Sequence, residues 1–208
     1  MQRPKLIIVG HARHGKDTVC EMLAEFGYTW QSSSWLCGQI AVYPKHLEIA
    51  TDETRVGTYQ EFFDLRHMNR AFWFDQIKAY NTPDETRLAR EILSQSDIYC
   101  GMRRAEELSA CKDAKVCDMV VWVDASKRVE PEPKTSMTIK AHQAHYVIDN
   151  NGDLTNLRSK VTKFYNGVLN PWTKRMNESR CMNCGSIDLN KNQIADTTWC
   201  QACGKVQA

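Results

Sequence analysis

The apolar stretch 5-KLIIVG-10 runs without a break into 10-GHARHGKDT-18, and this junction limits what the chain can fold into more than any other segment. Leu6 to Val9 are consecutive aliphatics, mostly β-branched, and read as a buried strand ending at Gly10. From Lys16 the apolar period changes, placing Val19, Met22, Leu23 and Phe26 on one face of a helix that Gly27 closes. Between strand and helix, Gly10 and Gly15 allow a tight turn whose successive backbone N–H groups converge, and Lys16 projects where the helix begins. That arrangement suits the phosphates of a nucleotide such as ATP. The segment Gly10, His11, Ala12, Arg13, His14 and Gly15 supplies the cradle, Lys16 reaches the β and γ phosphates, and the positive end of the helix adds to the field.

The residue after the lysine normally carries a hydroxyl for magnesium, but here it is Asp17. Loops of this type take a second carboxylate from the tip of a neighbouring strand. The candidate strand at 97-DIYCG-101 leads instead into Met102, Arg103 and Arg104. Asp17 is therefore expected to supply the carboxylate and Thr18 the hydroxyl, both hard oxygen donors suited to magnesium.

Further strands are expected at 28–33, from residue 97, at 119–126 and at 145–150, with helical segments between them and a closing helix at 154–168. Apolar strands alternating with helices indicate an α/β fold, a parallel sheet covered by helices on both faces. The run 59-YQEFFDLRHMNRAFWFDQIKAY-80 has helical spacing, and its aromatics are expected to pack in the core. Pro44 and 81-NTPD-84 read as breaks, Asp84 as a helix cap, and 127–142 as a mobile flap.

The chain has 208 residues, 42% hydrophobic, which suffices for one such domain and a small appendage. Formal charge is only +2, so no overall field marks a partner for a polyanion or a membrane. The N-terminal apolar run is too short for a signal peptide and no segment approaches a membrane span, so a cytoplasmic protein without membrane contact is expected. Nothing fixes the oligomeric state; a dimer is compatible. Of the nine cysteines, Cys20, Cys37, Cys100, Cys111 and Cys117 lie among apolar neighbours and read as small buried hydrophobes.

The other four, Cys181, Cys184, Cys200 and Cys203, form two CxxCG knuckles in 181-CMNCGSIDLNKNQIADTTWCQACG-204. Four thiolates at such spacing match a tetrahedral structural zinc site. After Pro171 the chain becomes poor in aliphatics, as expected of a module held by metal. The division is thus a phosphate-loop domain at 1–170 and a zinc ribbon at 171–208. Lys174, Arg175, Arg180, Lys191 and Lys205, with Trp172 and Trp199, make a modest patch for a polyanion.

The segments GHARHGKDTVCEML, QSSSWLC, RLAREIL with DIYCGMRRAEEL, VVWVDASKR and YVIDNNGDLTNL resemble the P-loop nucleotide kinases of tailed phages, over about residues 5–160. These are related to deoxynucleoside monophosphate kinases and to the thymidylate-kinase-like 5-hydroxymethyluracil DNA kinases. GKDT in place of GKST or GKTT is a recognised variant among them. The resemblance implies an ATP- and magnesium-dependent kinase of an infected host cell.

Because ligands sit beyond the carboxyl ends of parallel strands, Ser33, Ser34, Arg103, Arg128 and Asn150 are expected around one cleft. Arg103 would grip an acceptor phosphate, Arg128 the transferring group, and Asn150 the nucleotide. The resemblance places Asp64, Arg66 and Arg70 in an acceptor lid, with Asp64 orienting the attacking oxygen. Two acceptors stay open: a 5-hydroxymethyluracil base in DNA, and a free deoxynucleoside monophosphate. The ribbon favours DNA, since a second contact raises the local concentration of a polymer. A nucleotide-binding DNA-recognition module without phosphoryl transfer is the remaining alternative.

Overall fold

The computed structural model describes residues 2–130 and 137–178, the strands at 189–192, 197–200 and 206–207, and Cys203. The chain divides into two compact units, Lys5–Val161 and Met1–Pro4 with Thr162–Ala208.

In the first unit the elements are β1 (Leu6–Val9), α1 (Lys16–Ala24), β2 (Trp30–Ser32), α2 (Ser33–Cys37), α3 (Tyr43–Ile49), α4 (Tyr59–Asp64), α5 (Arg70–Tyr80), α6 (Arg87–Gln95), β3 (Ile98–Cys100), α7 (Ala105–Asp113), β4 (Met119–Asp124), β5 (Tyr146–Asp149) and α8 (Leu154–Phe164), whose last three residues belong to the second unit. The strands form one sheet in the order β2-β3-β1-β4-β5, and every neighbouring pair is parallel. This is the expected α/β architecture. Central strand β1 pairs Ile7 with Tyr99 on one side and with Val120 on the other. All four β1 side chains are fully buried, which explains why the strand is aliphatic on both faces.

Strand order reverses at β1, because the chain goes to one side for β2 and β3 and to the other for β4 and β5. Crossovers leaving in opposite directions open a crevice at the carboxyl end of β1, and the loop at residues 10–18 lies there. Helix α1 anchors this loop by burying Val19, Cys20, Met22 and Leu23.

The region at 59–80 departs from its uniform helical spacing. It breaks into α4, a single 3₁₀ turn at Leu65–His67, and α5. Thr58 and Glu61 form a capping box that starts α4, which fixes where this helical segment begins. Pro44 does not interrupt the chain's helical path. It sits in the first turn of α3, after a wide turn at Gly38–Val42, where its missing N–H costs nothing. At the start of α6 Asp84 accepts from Thr86 N–H, while Asn81 Oδ1 takes the N–H of Leu88 at 3.0 Å. Asn81 is thus a cap the sequence did not reveal.

The segment expected as a mobile flap is partly core. Met137 and Ile139 are buried, and Thr138 N–H donates to Arg103 O at 3.0 Å. Cys20, Cys37, Cys100 and Cys111 are buried as expected, and Cys117 is half-buried.

In the second unit α9 (Asn170–Glu178) is tied to the N-terminal residues by Asn177, which exchanges two hydrogen bonds with the backbone of Gln2 at 3.1 and 2.9 Å. Strands β6 (Leu189–Asn192), β7 (Thr197–Cys200) and β8 (Val206–Gln207) form an antiparallel sheet in the order β6-β7-β8. Among the described residues no helix is long and apolar enough to cross a membrane.

Candidate active site

The loop after β1 adopts backbone conformations that select its residues. Gly15 has φ of +84°, and a Cβ there would lie 2.4 Å from Asn150 Nδ2. Gly10 has φ of +150°, and a Cβ there would lie 2.6 Å from Val123 O. Both positions therefore exclude a side chain by conformation and by space. The loop is braced from behind. Asn150, 4% exposed, donates through Nδ2 to His14 O at 2.9 Å. His14 is buried, and its Nδ1 accepts from Ala125 N–H at 3.0 Å, which puts the ring proton on Nε2. That Nε2 meets no acceptor among the described residues.

On the cleft side Lys16 Nζ donates to His11 O at 2.8 Å, bridging the loop. Asp17 stands in the first turn of α1, where the helix field favours an anion, and its Oδ1 accepts from the Cys100 thiol at 3.2 Å. Cys100 ends β3, the strand whose tip carries no acid. Asp17 and Thr18 thus present a carboxylate and a hydroxyl beside Lys16, a donor set that fits a hard divalent cation.

A cleft of about 1110 Å³ opens from this loop. Its lining gathers Ala12, Arg13, Gly15, Lys16, Asp17 and Thr18 together with Ser33, Ser34, Arg66, Arg70 and Arg103. These expected residues are brought together. Gly10, His11, His14, Asn150, Asp64 and Arg128 do not line it. Arg128 Nε donates to Asn150 O at 2.6 Å, and the Asp64 carboxylate accepts from Gln60 Nε2 at 3.1 Å. Arg66 lies over the Phe63 ring at 3.9 Å. Arg104 is engaged by Glu85 through two hydrogen bonds of 2.8 and 2.9 Å.

Several lining residues went unrecognised in the sequence. Trp35 and Phe63 form an aromatic wall, with ring centroids 4.8 Å apart, and Phe74 also lines the cleft. The helical spacing of the 59–80 run made Phe63 and Phe74 resemble core. Tyr99, Asn81 and Glu107 are polar lining residues, each at most 3% exposed. Tyr99 O–H donates to Glu107 Oε1 at 2.7 Å. Burial pushes the Glu107 carboxyl up to about 7, opposed by Tyr99 and by the charge of Arg104. No local motif marks a glutamate in the first turn of α7 as a cleft residue.

Of the four cysteines expected to bind zinc, Cys181 and Cys184 lie outside the described residues. Cys200 ends β7 and Cys203 lies in an exposed turn. Among the described residues no group of three or more His, Cys, Asp or Glu side chains is placed to hold a metal ion.

Sheet order, strand direction and the braced glycine loop together give the first unit the α/β fold of the P-loop kinases. No family model matches the chain, and no curated protein is detectably similar to it. Among solved structures, shikimate kinase from Acinetobacter baumannii in complex with shikimate is similar at 18% identity and a TM-score of 0.46, over 80% of this chain and 94% of that one. Shikimate kinase from Bacteroides thetaiotaomicron matches at 9% identity and 0.46, over 80% and 99% of the two chains. A gluconokinase from Sinorhizobium meliloti matches at 10% identity and 0.43, over 83% and 97%.

Proposed function

We propose that the protein is an ATP-dependent kinase that transfers a phosphoryl group to the 5-hydroxymethyl group of 5-hydroxymethyluracil in DNA. One observation supports phosphoryl transfer above all. A glycine loop with Lys16, Asp17 and Thr18 shares a single cleft with the arginines Arg66, Arg70 and Arg103. Bound magnesium and ATP supply the transferable phosphoryl group and offset its charge. Asp17 and Thr18 would hold the cation, and the loop N–H groups with Lys16 the β and γ phosphates. Arg103 would grip a phosphate of the acceptor strand, and Ser33 and Ser34 line the same cleft. Reaction of this type depends on positioning and charge stabilisation more than on a strong base. Asp64 as the acceptor-orienting group and Arg128 as the charge-spreading arginine rest on the phage-kinase resemblance alone.

The DNA acceptor also rests on that resemblance, and on a zinc ribbon at 171–208 following a kinase domain at 1–170. Four thiolates in two CxxC pairs suit zinc, and the antiparallel order β6-β7-β8 suits a ribbon. A second reading, a deoxynucleoside monophosphate kinase, is favoured by the cleft itself, whose size would hold a small nucleotide. Transfer of label from γ-labelled ATP separates them. Incorporation into hydroxymethyluracil DNA supports the first reading, incorporation only into free monophosphates the second, and no transfer to either refutes both.

A further inference from the structure

Consecutive serines at the end of β2 and the start of α2 divide their hydrogen bonds unequally. Ser32 and Ser34 bond one another at 3.0 Å, and Ser32 also caps α2 by accepting from Trp35 N–H. Ser33, 7% exposed, lies within hydrogen-bonding reach of the Tyr99 phenol instead. Tyr99 has a single proton and donates it to Glu107 Oε1 at 2.7 Å, so between Ser33 and Tyr99 the serine is the donor. A directed chain thus runs from Ser33 through Tyr99 to Glu107, and each of these residues lines the cleft. Its direction leaves the lone pairs of Ser33 Oγ to accept from a further hydroxyl.

Ser33 lies at the tip of β3, beside the candidate cation site. A Cβ at Gly101 would stand 3.2 Å from Ser33 Oγ, and the preceding residue, Cys100, donates to Asp17. Among the described residues, the carboxylates lining the cleft are Asp17, Asp75 and Glu107. Asp17 is assigned to the cation, and Asp75 is exposed. Glu107 is the carboxylate that the Ser33–Tyr99 chain reaches. Burial holds it near neutrality, at about 7, where a group both takes up and releases a proton. It is faced by Asn81, which adds a hydrogen bond, by the charges of Arg104 and Glu85, and by the Cys37 and Cys111 thiols.

We propose that Ser33 accepts the hydrogen bond of an attacking hydroxyl, and that Tyr99 and Glu107 hold Ser33 in that role and draw off the proton. As the acceptor oxygen bonds to the γ phosphorus of ATP, the bond from that phosphorus to the β–γ bridging oxygen breaks, and its electron pair leaves with ADP. The acceptor proton passes to Ser33 Oγ, the Ser33 proton to Tyr99 and the Tyr99 proton to Glu107, which releases it once product departs. Ser33 touches the substrate; Tyr99 and Glu107 act through it as positioning residues. The assignment rests on the kinase reading and deepens it, because a hydroxyl must lose a proton on transfer, whereas a monophosphate attacks through an oxygen that has already lost its own at neutral pH.

The test is label transfer from γ-labelled ATP to hydroxymethyluracil DNA by the full chain, with kcat and KM followed across pH. In the unsubstituted protein kcat is expected to rise as pH passes through about 7, where Glu107 ionises. Ser33→Ala and Tyr99→Phe are each expected to lower kcat at least about tenfold with KM for magnesium-ATP unchanged. Glu107→Gln is expected to remove the rise with pH. A smaller loss in Ser33→Ala, the same rise in Glu107→Gln, or loss of that rise in Asp75→Asn with Glu107→Gln unaffected overturns the relay. Ser33→Ala removes one hydroxyl and adds no bulk, so it decides the matter even where the Tyr99 or Glu107 variant does not fold. If the unsubstituted protein transfers no label to hydroxymethyluracil DNA, the hydroxyl-acceptor reading itself falls and the relay with it.

Discussion

Asn150 Nδ2 donates to the carbonyl of His14 at 2.9 Å and occupies the space a side chain at Gly15 would need. A residue at the end of β5 therefore sets the shape of a loop that begins after β1. Asn150→Ala removes the donor and leaves a buried carbonyl unpaired, which costs about 1–3 kcal/mol. Denaturant unfolding should report a loss of that size, and calorimetry should show weaker ATP binding. Unchanged nucleotide affinity would show that the brace has no bearing on the cradle.

Lys16 bridges the loop to His11 O at 2.8 Å and is the loop side chain suited to the β and γ phosphates. Lys16→Ala is expected to reduce turnover roughly a hundredfold or more with the fold intact, because charge stabilisation is the larger part of such catalysis. Circular dichroism controls for folding, and near-normal turnover would refute phosphoryl transfer at this loop.

Asp17 holds the Cys100 thiol at 3.2 Å and has no acidic substitute at the tip of β3. Asp17→Asn keeps its size and removes its charge. The magnesium concentration for half-maximal activity should rise by about tenfold or more, with a smaller change in metal-free ATP binding. A magnesium titration superimposable on that of the unsubstituted protein would leave Asp17 only its place at the helix terminus.

Glu107 gives a pH dependence with a definite sign. Its native pKa of about 7 lies above the ordinary 4.5, so the folded state holds its proton more firmly than the unfolded state does. Its contribution to stability is complete below about 4.5 and is lost as pH rises through about 7. The difference is on the order of 3 kcal/mol. Urea unfolding across that range should show the decline, and Glu107→Gln should flatten it; an identical slope in both proteins would count against a buried, protonated Glu107.

Cys181 and Cys200 carry the metal expectation. The purified protein should contain about one zinc per chain, lost on replacing either cysteine with serine, with residues 171–208 becoming protease-sensitive. Metal analysis without zinc removes the ribbon assignment.

Strands were legible where both faces are buried, as in Leu6–Val9 and Met119–Asp124, because continuous apolar runs leave few alternatives. The loop was legible because glycine and lysine spacing is local. What depends on how neighbouring elements meet was not. The Asn81 cap on α6 spans seven residues and the Tyr99–Glu107 contact eight, and neither periodicity nor propensity encodes such side-chain pairings. Phe63 shows the limit well. Its helical spacing is that of a core residue, and it does pack against the core, yet it also lines the cleft.

Because the loop's final shape waits on Asn150, an N-terminal fragment ending before β5 would carry the whole glycine motif and still lack a formed cradle. On the kinase reading proposed above, affinity for nucleotide would arise during synthesis only after the last strand of the sheet has docked. Nucleotide that bound the finished domain and not the fragment would draw the folding equilibrium toward completion. Affinity would then report on the integrity of the sheet as a whole, over and above the presence of the motif.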